Sequence, residues 1–160
     1  MRKLLVALLL AALAVQTRAA ADEKFKPFKL KTLDGTQRSL PDVLGKATLV
    51  VFFFPSCRYC NAAFPEIQKI YDAYRERGLS MVWINIVPDE NSQIERWRAE
   101  HGYTVPILLG GRSAQNDYKL TMTPTHYLLD ATGKVLAKHS GYTAGDEKSL
   151  ERHIQQALDR

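Results

Sequence analysis

Cysteine is nearly absent: the 160-residue chain has two, Cys57 and Cys60, with two residues between them. That scarcity excludes the disulfide framework of small secreted domains, which joins cysteines distant in sequence. A bond between these two would close a very short loop and restrain the unfolded chain little. Chemistry therefore explains the pair better than stapling, although a structural disulfide is the plain alternative. Histidine is also scarce. His101, His126, His139 and His153 are the only four, and no two have His-x₃₋₅-His spacing. A CxxC pair needs two further ligands to close a structural zinc site, and that spacing does not supply them. No basic run interleaved with aromatic residues is present, so nucleic acid is not an implied partner. No apolar run reaches the roughly 20 residues that a membrane-spanning helix requires.

The longest apolar run, Leu4 to Val15, follows Arg2 and Lys3 and precedes Ala19-Ala20-Ala21. A positive start, a short apolar stretch and small residues at −3 and −1 make residues 1–21 a secretory signal peptide, with cleavage after Ala21. An uncleaved membrane anchor is the competing reading. Residues 22–160 then form one domain, and after cleavage no stable membrane insertion is expected. With 46% hydrophobic and 24% charged residues, the chain has an ordinary globular composition. The leader takes Arg2, Lys3 and Arg18 and no acid, so the net charge falls from +5 to +2. The mature domain is close to neutral.

Along the domain, Asp22 to Pro27 is a charged lead-in. Apolar residues on both sides of Asp34-Gly35 predict a hairpin over 28–40. Residues 47–54 are continuously apolar, β-branched or aromatic and read as a strand buried on both faces. Pro55-Ser56 ends it, and a helix begins near Cys57. Phe64, Ile67, Ile70, Tyr71 and Tyr74 continue that helix through Pro65 to Gly78. A second buried strand runs over 79–87. Ser92 and Glu95 form a capping box for a helix that carries Ile94, Trp97 and His101 on one face. A short strand (105–109), a short helix (112–118), two strands around Ala131-Thr132-Gly133 and a helix from Asp146 complete the order. This pattern is α/β: a central mixed sheet covered by helices on both faces.

Cys57 follows a buried strand and opens a helix, where free N–H groups and the helix dipole favour a thiolate. Arg58 adds a neighbouring cation. A free thiol has a pKa near ~8.5, and helix-terminal cysteines fall to roughly 3.5–7.5. Cys57 is accordingly the candidate attacking thiolate. Cys60, one turn further in and more buried, is the candidate resolving thiol. Met122-Thr123-Pro124-Thr125 precedes a strand, and a Thr-Pro step gains meaning beside an upstream CxxC helix. His126, close to Pro124, is the histidine that could join the cysteines on copper. His101 is expected to pack beside Trp97, and His139 and His153 to be solvated.

Taken together, the Asp34-Gly35 hairpin, Gly45-Lys46, Cys57-Arg58-Tyr59-Cys60, Phe64-Pro65, His101-Gly102, Tyr118, Thr123-Pro124-Thr125 and the Asp130 to Gly133 turn resemble the TlpA/ResA-like branch of the thioredoxin superfamily. The likeness spans about 25–158. It implies a thioredoxin fold with an added N-terminal hairpin, and a periplasmic or otherwise secreted thiol–disulfide oxidoreductase without a cofactor. The implied substrates are protein thiols and disulfides, with a membrane-bound redox partner. The implied direction is reduction, as in cytochrome c maturation, against oxidase or isomerase roles and a copper-handling chaperone. Pro124 is the implied cis-proline, with Thr123 presenting its backbone to a substrate strand and Arg58 and Tyr59 tuning the centre. The chain departs from the pattern in four places. Ser56 replaces Trp before the first cysteine, Ala63 and Val51 occupy positions where relatives carry acids, and the dipeptide lacks Pro. A peroxiredoxin would have Thr where Phe54 stands.

Overall fold

The structure is a computed structural model that describes residues 23–89 and 91–160. The proposed leader and its cleavage site lie outside the described residues. In chain order the elements are β1 (Lys29–Thr32), β2 (Gln37–Ser39), α1 (Leu40–Val43), β3 (Ala47–Phe53), α2 (Arg58–Tyr74) and β4 (Leu79–Asn85). They continue with α3 (Asn91–His101), β5 (Ile107–Leu109), α4 (Gly111–Asp117), β6 (Thr125–Asp130), β7 (Val135–Ser140) and α5 (Asp146–Leu158).

Burial sets the arrangement. β3 is buried at every position, as its run of apolar, β-branched and aromatic residues predicts, and lies between β4 (parallel) and β6 (antiparallel). The seven strands form one sheet in the order β2-β1-β5-β4-β3-β6-β7. Strand side chains alternate between faces, so β3 feeds two cores. Leu49, Val51 and Phe53 pack with residues of α2, α3 and α5, whereas Val50 and Phe52 pack with residues of α1, α4 and the N-terminal segment. The N-terminal hairpin turns at Gly35 (φ +86°), where Thr36 N–H donates to Asp34 Oδ1 at 2.9 Å. Its place in the sheet is against β5, through β1.

Several boundaries differ from the sequence-based expectation. β4 stops at Asn85 because that buried side chain turns back on the main chain, donating to Val87 O at 2.9 Å. β5 starts after Pro106, which has no N–H to give a ladder but accepts from Trp83 N–H at 2.9 Å. Ser92 lies inside the first turn of α3 rather than capping it, because the chain is already helical at Asn91. Asn91 Nδ2–H in turn bonds Leu33 O in the hairpin at 3.0 Å. α2 ends at Tyr74 and tightens into a 3₁₀ turn before Gly78, whose φ of +103° only glycine adopts at low cost. The lead-in is no loose tail either. Phe25 is buried and stacks on Tyr118 at 4.9 Å.

An aromatic cluster anchors α2 on the sheet. Phe64, fully buried, stacks on Trp83 at 4.2 Å and meets Phe53 edge-on at 5.4 Å and Trp97 at 6.0 Å. Because Phe64 touches β3, β4 and α3 at once, its truncation leaves a hole that no single neighbour can fill. Phe64→Ala is expected to cost about 3–5 kcal/mol, read as a lower urea midpoint with the slope of the transition unchanged.

Candidate active site

β3 delivers the chain to the site and α2 carries it away. After Phe53 the main chain turns sharply, Cys57 N–H donating to Phe54 O at 3.0 Å, and Cys57 becomes the N-cap of the 17-residue α2. Cys57 and Cys60 are joined as a disulfide. Cys57 Sγ accepts from Cys60 N–H at 3.1 Å, one of the main-chain donors that a helix N-terminus leaves free. The same sulfur lies 3.3 Å from Thr123 Oγ1. Cys57 is 4% exposed and Cys60 not at all. Arg58 is exposed, and Tyr59 is 61% exposed beside the disulfide.

The Met122–Pro124 segment faces this end of α2. The Thr123–Pro124 peptide bond is cis. Pro124 O accepts from Gly141 N–H at 2.8 Å and Met122 O from the Thr125 hydroxyl at 2.8 Å, so the flanking carbonyls are tied to the residue that follows β7 and to the first residue of β6. Among the described residues no main-chain hydrogen bond uses the N–H or C=O of Thr123. Met122 is 51% exposed. An exposed methionine in a Thr-Pro segment carries no sequence signal that separates it from an ordinary loop residue, and its role in forming this rim emerges only from the fold.

Two residues without a motif also reach the site. Asn61 Nδ2–H donates to Pro55 O at 2.8 Å, and Asn61 Oδ1 accepts from Trp97 Nε1–H at 3.0 Å. His101 packs beside Trp97 as the helical spacing implies, its Nδ1 2.8 Å from Trp97 O.

His126 does not join the cysteines. It lies in β6 in register with Val51 and with His139 of β7, its ring 5.9 Å from that of His139. It borders a cavity of about 180 Å³ against α5, lined also by Leu49, Ile67 and Leu128. His139 itself is exposed and lies 3.1 Å from Asp146 Oδ2, and His153 is exposed as expected. Among the described residues, no group of three or more His, Cys, Asp and Glu side chains is arranged to hold a metal ion. His126 is 4% exposed, and among the described residues its Nε2 has no hydrogen-bond partner. Burial first, and then the neighbouring His139, push its pKa down to about 4, while Asp146 pulls it up.

Residues 21–138 match the AhpC/TSA family. "Thioredoxin-like protein YneN" of Bacillus subtilis is 33% identical over 134 residues, covering 82% of this chain and 75% of the relative. "Thiol-disulfide oxidoreductase ResA" of Geobacillus thermodenitrificans is 28% identical over 165 residues, covering 97% and 93%. The crystal structure of StoA from Bacillus subtilis superposes with a TM-score of 0.65 at 26% identity, covering 81% of this chain and 96% of that one. A structure titled as a putative thiol:disulfide interchange protein DsbE from Chlorobium tepidum gives 0.78 at 24%, covering 86% and 97%, and shows the shared fold.

The buried histidine makes stability pH-dependent. Its folded pKa of about 4 lies below the ordinary 6.5, so the unfolded chain binds the extra proton between those values. The stabilisation is complete above the unfolded pKa and is lost as pH falls from there toward the folded one. At ~1.4 kcal/mol per unit the loss across that window is about 3 kcal/mol. Urea midpoints at both ends of the window should show this fall in the wild type and a much flatter profile in His126→Leu. With the fold, the cysteine pair and these likenesses in view, the chain belongs to the AhpC/TSA family and is a thioredoxin-fold thiol–disulfide oxidoreductase with the Cys57–Cys60 pair at its centre.

Proposed function

We propose that the protein reduces disulfides in extracytoplasmic proteins, with Cys57 as the attacking thiolate and Cys60 as the resolving thiol. The observation that carries this reading is the placement of Cys57 Sγ. It sits at the N-terminus of a long helix, 3.1 Å from a free main-chain N–H and 3.3 Å from a hydroxyl. Both contacts favour negative charge on that sulfur. Cys60 is fully buried behind it, so an incoming disulfide meets Cys57 first.

The Cys57 thiolate attacks one sulfur of the substrate disulfide, forming a mixed disulfide and expelling the other substrate sulfur as a thiolate, which takes up a proton. Cys60 then loses its proton and attacks Cys57 Sγ. The Cys57–Cys60 bond forms, and the second substrate sulfur leaves as a thiol. Two electrons pass from the protein to the substrate. Thr123, with free main-chain groups beside Pro124, is the ladder on which an extended substrate segment pairs. Tyr59 and Met122 supply the apolar rim on which its side chains rest, and Arg58 supports the thiolate.

The apolar leader of residues 4–15 supports a periplasmic location, and among the described residues no helix is long and apolar enough to cross a membrane. A membrane-bound dithiol partner returns the centre to its reduced form. Cytochrome c maturation is one pathway that needs such a reductant. An oxidase would use the same residues with electrons flowing in the other direction, and an isomerase would use them with no net electron flow.

Cys60→Ser should trap mixed disulfides with protein substrates, seen as higher-mass bands on non-reducing gels, and Cys57→Ser should not. Equal trapping by both variants would reverse the assignment. Reduced wild type should also precipitate insulin by reducing its interchain bonds.

The direction of flow is read from the reduction potential. Helix N-terminus, Thr123 hydroxyl and Arg58 all stabilise the thiolate, and Ala63 and Val51 leave no acid to oppose them. The potential should lie above about −270 mV in a glutathione equilibrium. Arg58 points into solvent, where water screens its charge. Arg58→Ala should therefore raise the Cys57 pKa and shift the potential by only about 10–30 mV, toward more negative values.

A further inference from the structure

Asn61 follows the second cysteine directly, and nothing in its sequence context marks it. In the fold it brackets the loop that presents Cys57. Its main-chain N–H donates to Cys57 O at 3.0 Å, and its side chain donates to Pro55 O at 2.8 Å. The two bonds grip the loop on either side of Ser56. The grip is itself anchored, because Asn61 Oδ1 accepts from Trp97 Nε1–H at 3.0 Å. Trp97 in turn stacks on Phe53, the last residue of β3, at 5.2 Å. Pro55 O, Asn61 and Trp97 thus tie the end of β3, the first turn of α2 and the middle of α3 into one hydrogen-bonded chain.

The weight of this chain differs between the two redox states. While the disulfide is intact, a covalent bond already holds Cys57 against α2, and the Asn61 side chain is redundant. On reduction that bond is gone. The loop then depends on non-covalent contacts to keep Cys57 Sγ within reach of Cys60 N–H and the Thr123 hydroxyl. An interaction that stabilises one redox form more than the other shifts the equilibrium between them, by the same linkage that governs any two-state system.

We infer that Asn61 is a positioning residue for the redox reaction, holding the 54–57 loop so that the Cys57 thiolate stays at the helix N-terminus after reduction. The inference rests on the reading of Cys57 as the attacking thiolate. It acts through the loop and makes no contact with substrate.

Asn61→Ala removes the side-chain bonds and places a good helix former in α2. In the full domain it should raise the Cys57 pKa, measured by the pH dependence of iodoacetamide alkylation. It should also move the equilibrium with glutathione three- to tenfold toward the disulfide, the range expected from losing the one bond that grips the loop, to Pro55 O. A tenfold change corresponds to about 30 mV, toward more negative potential. Thermal unfolding should show a larger loss for the reduced than for the oxidised protein. Trp97→Phe keeps the Asn61 bond to Pro55 O and should shift the equilibrium in the same direction by less.

Equal destabilisation of both redox forms, with Cys57 pKa and potential unmoved, would make Asn61 merely structural and overturn the inference. A shift in Trp97→Phe as large as that in Asn61→Ala would also overturn it, because the effect would then travel through packing of the indole. A wild type that neither alkylates selectively at Cys57 nor reduces insulin would instead defeat the proposed function itself.

Discussion

The redox centre depends on one constraint: β3 must be buried on both faces, and it must end where α2 begins. A seven-residue strand that is apolar at every position but Thr48 is stable only between two layers, and it has them, with Leu49, Val51 and Phe53 turned to one core and Val50 and Phe52 to the other. Such a strand cannot slide by one residue without sending each side chain to the wrong face. Its end is therefore fixed to within a residue, and so is the start of the helix that follows. Cys57 occupies that junction. The position of the Cys57 sulfur is thus set by the packing of the strand that precedes it.

Electrostatics at the junction come from main-chain and neutral groups more than from charged side chains. The free N–H of Cys60 and the hydroxyl of Thr123 approach Cys57 Sγ at 3.1 and 3.3 Å, whereas Arg58 faces solvent. Fixed dipoles in a low-dielectric site act without the screening that weakens an exposed cation. The absence of acids at Ala63 and Val51 works in the same direction. His126, the buried titratable group in register with Val51, is held neutral by its own desolvation and adds no charge of either sign.

Aromatic packing links the loop before Cys57 to the body of the domain. Phe53, Phe64, Trp83, Trp97 and Tyr103 lie ring against ring, with centroids between 4.2 and 6.1 Å. The Trp97 indole N–H donates to Asn61 Oδ1 at the edge of this layer. Rigid aromatic contact and one well-placed hydrogen bond together carry the position of α3 to the loop before Cys57. On the opposite rim, Gly141 and Thr125 hold the carbonyls of Pro124 and Met122, leaving Thr123 between them with its main chain open.

Much of this was legible in the residues alone. The apolar run of β3, the helical spacing beyond Phe64, the turn glycines and the CxxC pair each rest on local periodicity or local chemistry, which a linear string records in full. A central mixed sheet covered by helices on both faces also follows from the order of the elements. What the string does not hold is which distant groups meet. The pairing of the N-terminal hairpin with β5 and the burial of Phe25 against Tyr118 both arise from contacts between residues far apart along the chain. His126 shows the difference most directly. Its place near Pro124 in sequence suggests a ligand beside the cysteines, yet strand register sets it next to His139 against α5. Asn61 is the converse case: unremarked in sequence, it becomes part of the site only because the fold brings Pro55 O and Trp97 to its two ends. Reaction class was determined by residues close together in sequence, because a thiol and its resolving partner must share one helical turn. The environment that tunes them was decided by tertiary structure, because hydrogen bonds and desolvation act through space and not along the chain.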